Sequence, residues 1–345
     1  MFCAHDDYDL HLDDVVSDRF YIAVDIGGTK IASAIVRMSY GTYEVIDKNR
    51  MPTCAQKGGD DVLYRLVDFI ERQFRLASKQ GIPITGIGIG TAGVVDSEHG
   101  RIAAATNIMP GWAGQHVAQA IHESDLVGHL PVYMVGDVGA HGLGESQYGA
   151  GRGHESVLSV GVGTGIGGAI IRSGELITGA HGVAGHVGHI SHALGVGVTC
   201  SCGTTCGHIE PVASGTGLAT LYNLLRSENS TIENGQEYVQ PARSGLDVVN
   251  RMNEGEHFAR RVIEISATAL GECIAGMANL LDPDVIVLSG SVVKAGEVWW
   301  QGVYTGFSHA ALPLISATPI IQGNLGDDAP LVGAAYAVSE YIKTL

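Results

Sequence analysis

Positive charge is scarce in this sequence. Twenty lysines and arginines stand against 36 aspartates and glutamates, a formal charge of −16 over 345 residues. Phosphate binding needs a basic face, so nucleic acid is disfavoured as the main partner; an acidic surface mostly speaks for solubility. Cysteine is scarce too. Six are too few and too clustered for a disulfide scaffold: Cys200, Cys202 and Cys206 sit together, while Cys3, Cys54 and Cys273 are scattered. That pattern predicts a reducing compartment and a metal. No apolar run approaches the ~20 residues of a membrane span. The N-terminus lacks the charged start, apolar core and small-residue cleavage site of a secretion signal. The expectation is a soluble, cytoplasmic protein with no membrane partner.

What is abundant is glycine, 49 residues of it. It clusters at strand ends and turns without a collagen-like period, which points to sites built from backbone. Residues 1–19, acidic and His-rich, read as a flexible leader. From there the pattern is regular. "FYIAVDIGGTKIASAIV" predicts strand, glycine turn, strand. "DDVLYRLVDFIERQFRLASKQG" predicts an amphipathic helix with Leu63, Leu66, Val67, Ile70 and Phe74 on one face and Gly81 as its stop. "ITGIGIGTAGVV" and "PVYMVGDV" predict strands, the second ending at Asp137. The style then repeats: "VLSVGVGTGIGGAIIRSGELITG" is again strand, glycine turn, strand, with Ser173-Gly174 as a hairpin turn. A long helix over about 255–281, a strand "DVIVLSG" and a final helix in "APLVGAAYAVSEYIKTL" complete two similar α/β halves. A ligand fits naturally in the cleft between them.

Three short motifs carry chemistry. In "DIGGTK", Asp25 to Lys30, Gly27 and Gly28 let backbone N–H groups approach a phosphate, Thr29 adds a hydroxyl and Lys30 a charge. "GVGTGIGG", Gly161 to Gly168, repeats the logic with Thr164 and Gly165. It lacks the Walker spacing, and a strand rather than a helix follows, so it is no dinucleotide fingerprint. "LSGSV" places Gly290 and Ser291 at a strand end. Each is weak alone; three in this order are strong.

Together these motifs resemble the two phosphate segments and the adenosine segment of the actin-like ATPase superfamily. The branch resembled is the ROK family (repressors, open reading frames, sugar kinases), on "GxxGHxGH", a cysteine cluster, Glu210, and "NIMPGW" at Asn107 to Trp112. The resemblance runs from about Tyr21 to the C-terminus. It implies a bilobal α/β fold of the actin-like ATPase (ribonuclease H-like) type: a small lobe over 20–137, a large lobe over 138–330 with a zinc-binding loop over 186–210, and a helix at about 331–345 packing back on the small lobe. It also implies ATP and Mg²⁺, a sugar held by Asn107, His186, His189 and Glu210, a general base at Asp137, and a homodimer. A carboxylate at a strand end facing a cleft suits that base, since phosphoryl transfer to a hydroxyl needs an acceptor for its proton.

The resemblance further implies a structural Zn²⁺ held by His189 and three cysteines. Here Cys200 and Cys202 match, but the family's CxCGxxGCxE carries one extra residue. Counting forward from Cys202, the third place falls to Cys206; counting back from Glu210, it falls to His208. Cys206 is favoured because thiolate binds zinc tightly, with His208 as the alternate and His192 a lesser candidate. On the sugar side, His186 stands where the family has Glu, and Gly136 where it has Asn before the catalytic Asp. These departures favour a 6-hydroxyl kinase of an N-acetylhexosamine, N-acetylmannosamine leading, over a glucokinase. Other classes are a catalytically silent sugar-binding regulator and a DNA-binding repressor; only about 20 residues, an acidic stretch, precede the first phosphate strand, too few for a winged helix. A polyphosphate donor would call for a basic track.

Overall fold

The computed structural model describes residues 18–229 and 240–345. The predicted leader lies almost entirely outside these residues.

The chain opens with three antiparallel strands, β1 (Arg19–Ile26), β2 (Lys30–Ser39) and β3 (Thr42–Pro52), followed by helix α1 (Gly59–Lys79). Strand β4 (Ile84–Thr91) then leads into a small ribbon, β5 (Val94–Asp96) with β6 (Arg101–Ala104), then α2 (Val117–His122), β7 (Val132–Gly136) and α3 (Asp137–Tyr148). The second half begins with β8 (Ser156–Val162), β9 (Ile166–Arg172) and β10 (Glu175–Leu176). A loop carrying β11 (Ser191–Val196) and β12 (Cys206–His208) follows, then α4 (Glu210–Ala213), α5 (Gly215–Asn229), α6 (Gly245–Asn253) and α7 (His257–Leu281). The chain ends with β13 (Val285–Ser289), α8 (Glu297–Ala310), β14 (Ile320–Gln322) and α9 (Ala329–Ile342).

The two large sheets repeat one topology. The first runs β3-β2-β1-β4-β7 and the second β10-β9-β8-β13-β14, each with an antiparallel hairpin side and a parallel side. The repeat foreseen from the two glycine turns is therefore a repeat of whole sheets. Parallel strands carry their ligand crevices at their carboxyl ends. Here Asp25, Gly136 and Ser289 all lie at or next to such ends.

The core explains the sequence pattern. Strands β1 and β13 are apolar runs because both their faces are covered: Ile22, Val24 and Ile26 pack with α1, while Tyr21 and Ala23 pack toward α9 and α3. On α1, Leu66 and Ile70 are fully buried, and Leu63, Val67 and Phe74 pack partly buried against the same cluster. A third cluster draws side chains from both sheets, with Ala140 and Leu143 of α3 and Leu331, Val332 and Ala335 of α9 between them. Small residues permit this: a Cβ on Gly333 of α9 would lie 1.7 Å from the Ala140 carbonyl oxygen. Among the described residues no helix is long and apolar enough to cross a membrane.

Candidate functional site

Asp137 owes its place to a strand–helix junction. Gly136 ends β7 in extended conformation, and Asp137 is the first residue of α3. A carboxylate there faces the positive end of the helix, and its Oδ1 accepts from the Val138 N–H at 2.9 Å. Burial pushes its carboxyl above the ordinary range, against the pull of that backbone bond and of His141 and His186. One turn along α3, burial pushes the His141 imidazole down.

Asp137 lines a cavity of about 1010 Å³ that also holds Asn107, His186, His189 and Glu210. All five residues expected at the sugar are thus brought to one place. Glu210 is tied on both oxygens: Oε2 accepts from the Ile166 N–H at 2.9 Å, and Oε1 from the Ser201 hydroxyl. A Cβ on Gly165 would sit 2.6 Å from Glu210 Oε2, so the second glycine turn is also what admits this carboxylate. His186 Nδ1 lies 2.9 Å from the Val183 carbonyl oxygen. A carbonyl only accepts, so Nδ1 carries the proton, and in the neutral ring Nε2 is an acceptor. Burial pushes the His189 imidazole down, favouring its neutral form.

The residues expected at ATP divide. Asp25, Lys30, Gly290 and Ser291 line a second cavity of about 600 Å³. Gly27, Gly28, Thr29, Thr164 and Gly165 line neither cavity; they form the two hairpin turns. The Gly27 N–H donates to the Lys30 carbonyl at 3.0 Å and the Gly163 N–H to the Gly165 carbonyl at 2.9 Å. The Thr164 carbonyl accepts from the Thr216 hydroxyl at 2.8 Å, anchoring the second turn to α5. Gly290 has φ 101°, a left-handed conformation, and a Cβ there would lie 2.4 Å from the Val162 carbonyl oxygen. Burial, reinforced by the charge of Asp137, pushes the Asp25 carboxyl up to about 6, with Lys30 opposing. The second cavity adds Ser289 of the third motif and residues that the motifs did not mark, among them Lys48, Arg50 and Lys294. Their signal was weak: β3 carries no motif, and its lysine and arginine look like solvated charge.

Next to the sugar-side cavity lies the thiol–imidazole group. One ligand atom each from His189, Cys200, Cys202 and His208 falls within 4.8 Å of the others. Two thiolates and two imidazoles are a donor set of tetrahedral zinc, so these residues fit the metal that the resemblance implies. Cys206, favoured as a ligand from the motif, is outside this set, and the alternate His208 is inside it. His192 is engaged elsewhere, with Nε2 2.8 Å from Glu272 Oε2. Burial pushes the Cys200 thiol up, while hydrogen bonds with Thr204 pull the Cys202 thiol down.

The chain is similar to known proteins over most of its length. The ROK family model matches residues 21–341. A glucokinase of Halalkalibacterium halodurans is 32% identical over 327 residues, covering 94% of this chain and 96% of its own. An N-acetylmannosamine kinase of Yersinia pseudotuberculosis is 30% identical, covering 91% of this chain and 96% of its own. Among solved structures, a ROK family glucokinase from Streptomyces griseus in complex with glucose and AMPPNP superposes with a TM-score of 0.71 at 30% identity, covering 92% of this chain and 98% of its own.

Proposed function

Because the chain belongs to the ROK family, we propose that it is a sugar kinase, moving the γ-phosphoryl group of ATP to the 6-hydroxyl of a hexose or N-acetylhexosamine. The observation that carries this is the single cavity gathering Asp137, Asn107, His186, His189 and Glu210 beside a second cavity lined by Asp25, Lys30, Gly290 and Ser291. Magnesium enters as part of the ATP substrate complex, where it spreads the phosphate charge.

In this reading the sugar hydroxyl lies against Asp137. Oδ1 is held by the Val138 N–H, which leaves Oδ2 to take the hydroxyl proton as the sugar oxygen attacks the γ-phosphorus and ADP departs. The raised carboxyl makes Asp137 a better acceptor than an ordinary aspartate. Glu210, His189 and Asn107 orient the sugar. His189, Cys200, Cys202 and His208 would hold a zinc ion, which would supply a structural tie for the loop that presents His189 and Glu210. Asp137→Asn is expected to bind sugar and to lose about 10²–10⁴ in kcat; kcat within a few-fold of wild type would remove Asp137 from the base role.

N-acetylmannosamine is the leading sugar. His186 lines the cavity, its neutral ring having Nε2 as an acceptor, and Gly136 leaves room, since a Cβ there would meet only the Gly93 carbonyl oxygen, at 3.9 Å. That room suits an acetamido group. Glucose is the second reading, favoured by the 32% identity to a glucokinase. ADP release from Mg-ATP should be measured over glucose, mannose, fructose, N-acetylglucosamine and N-acetylmannosamine. A preference for N-acetylmannosamine supports the leading reading. A glucose kcat/KM well above it replaces that reading with glucokinase. No turnover with any sugar would leave a silent sugar-binding protein.

A further inference from the structure

Cys206 and His208 compete for one place in the thiol–imidazole group, and the extra residue between Cys202 and Glu210 is what creates the competition. The two ring nitrogens of His208 face different sulfurs. Nδ1 lies 3.4 Å from Cys202 Sγ, and Nε2 lies 3.1 Å from Cys206 Sγ. On an imidazole these nitrogens point to opposite sides of the ring, so one ion cannot sit on both. An ion shared with Cys202 lies on the Nδ1 side, and Cys206 is then on the far side, separated from it by the ring.

The edge between Cys202 and His208 fits that division. Tetrahedral zinc with Zn–S of about 2.3 Å and Zn–N of about 2.0–2.1 Å has sulfur-to-nitrogen edges of about 3.5 Å. The Cys202–His208 Nδ1 separation is 3.4 Å. The ring of His208 also faces that of His189, with centroids 4.8 Å apart, which keeps the second imidazole at the group. Cys206 is exposed, and its sulfur is 3.3 Å from the Thr204 hydroxyl, which stands equally far from Cys202. Gly207, at φ 95°, lies between the two competitors within β12.

We propose that this chain binds zinc through His189, Cys200, Cys202 and Nδ1 of His208, and that Cys206 is an outer partner accepting a hydrogen bond from His208 Nε2–H. The site is therefore two-sulfur, two-nitrogen, unlike the three-cysteine set that the motif implies. Cys206 is a positioning residue: it fixes the tautomer and tilt of the ligand ring. Loss of such an outer partner lowers metal affinity about 10–100-fold without removing the site. The proposal is independent of which sugar is phosphorylated.

The test is X-ray absorption on the zinc-loaded wild-type protein, with metal content measured on the same sample. One zinc per chain with two sulfurs and two nitrogens in the first shell is expected. Three sulfurs, or a chain that takes up no stoichiometric zinc, would overturn it. As a second measurement, Cys206→Ala should keep one zinc per chain and yield it to a competing chelator at about 10–100-fold lower chelator concentration. His208→Ala should lose stoichiometric zinc. Retention by His208→Ala together with loss by Cys206→Ala would reverse the assignment. Should His208→Ala fail to fold, the wild-type spectrum and Cys206→Ala still decide the question.

Discussion

At the scale of single residues, two of the carboxyls that face the cleft hold opposite consequences for stability and for rate. Asp25 carries a carboxyl raised to about 6, chiefly by burial and then by Asp137. Its folded form holds a proton more tightly than the unfolded chain does. The stability this contributes is present below the unfolded value of about 4, and it is lost as pH rises through about 6. Above that, the wild type folds against a buried charge costing up to about 3 kcal/mol. Asp25→Asn is therefore expected to match or exceed wild-type stability at pH 7.5 and to lack the decline between pH 4 and 6. Denaturant unfolding across that range checks it, and parallel wild-type and variant curves would refute it. Asp137 acts in the other direction on rate. Its raised carboxyl must be ionised to take a proton, so kcat/KM should fall on the acid side at a pH above the ordinary aspartate value. A pH–rate profile with sugar subsaturating reads this limb directly; full activity held down to pH 4 would refute it.

At the scale of elements, α3 shows both what sequence reveals and what it hides. The strand leading to Asp137 and the Gly27-Gly28 and Gly163–Gly165 turns were legible because apolar runs and glycine turns are local signals. The hairpin at Ser173-Gly174 was legible for the same reason, and both residues have positive φ, 51° and 81°. Helix α3 itself was hidden. "DVGAHGLGESQY" is rich in glycine, which costs about 1 kcal/mol per residue against alanine in a helix, and it lacks the apolar stripe of an amphipathic helix. It is helical because tertiary packing demands small residues: a Cβ on Gly142 would meet Ala169 at 2.6 Å, and one on Gly144 would meet the Ala329 carbonyl oxygen at 2.2 Å. Strand β3 was unmarked because four consecutive polar residues, Asp47 to Arg50, break the alternation that would signal a strand. Spacing left Cys206 and His208 both open as the last zinc ligand, because the proposed choice between them turns on ring orientation, which is not a property of spacing. Helix α3 also carries a fully buried carboxylate, Glu145, that accepts from the N–H groups of Ala150, Asn324 and Leu325 at 2.9–3.1 Å. It ties the end of α3 to the segment before α9. Glu145→Gln should cost about 2–3 kcal/mol, because an amide nitrogen would face backbone donors and the charge-assisted bonds are lost. An unchanged denaturation midpoint would show that the carboxylate is not the tie.

At the scale of the whole molecule, the two sheets are joined through α3 and α9, and the sugar-side cavity draws its walls from both halves. Asn107, Gly136 and Asp137 come from one half and Glu210, His186 and His189 from the other. A ligand that fills this cavity ties the halves together, so binding adds to stability as RT ln(1 + [L]/Kd), about 2.7 kcal/mol at a hundredfold excess over Kd. The distance between the halves depends on how closely α3 and α9 approach, and Gly333 sets that approach against Ala140. With a carbonyl only 1.7 Å from where the new methyl would lie, Gly333→Ala must part the two helices or bend them. The loss from overpacking is about 1–3 kcal/mol. The same displacement moves Asp137, at the head of α3, relative to Glu210. The variant should therefore unfold at lower temperature, and it should also gain less stability from sugar plus AMPPNP than the wild type does. Thermal unfolding with and without the ligands measures both. A lower Tm with an undiminished ligand shift would mean that α3 and α9 support the fold without setting the geometry of the cleft.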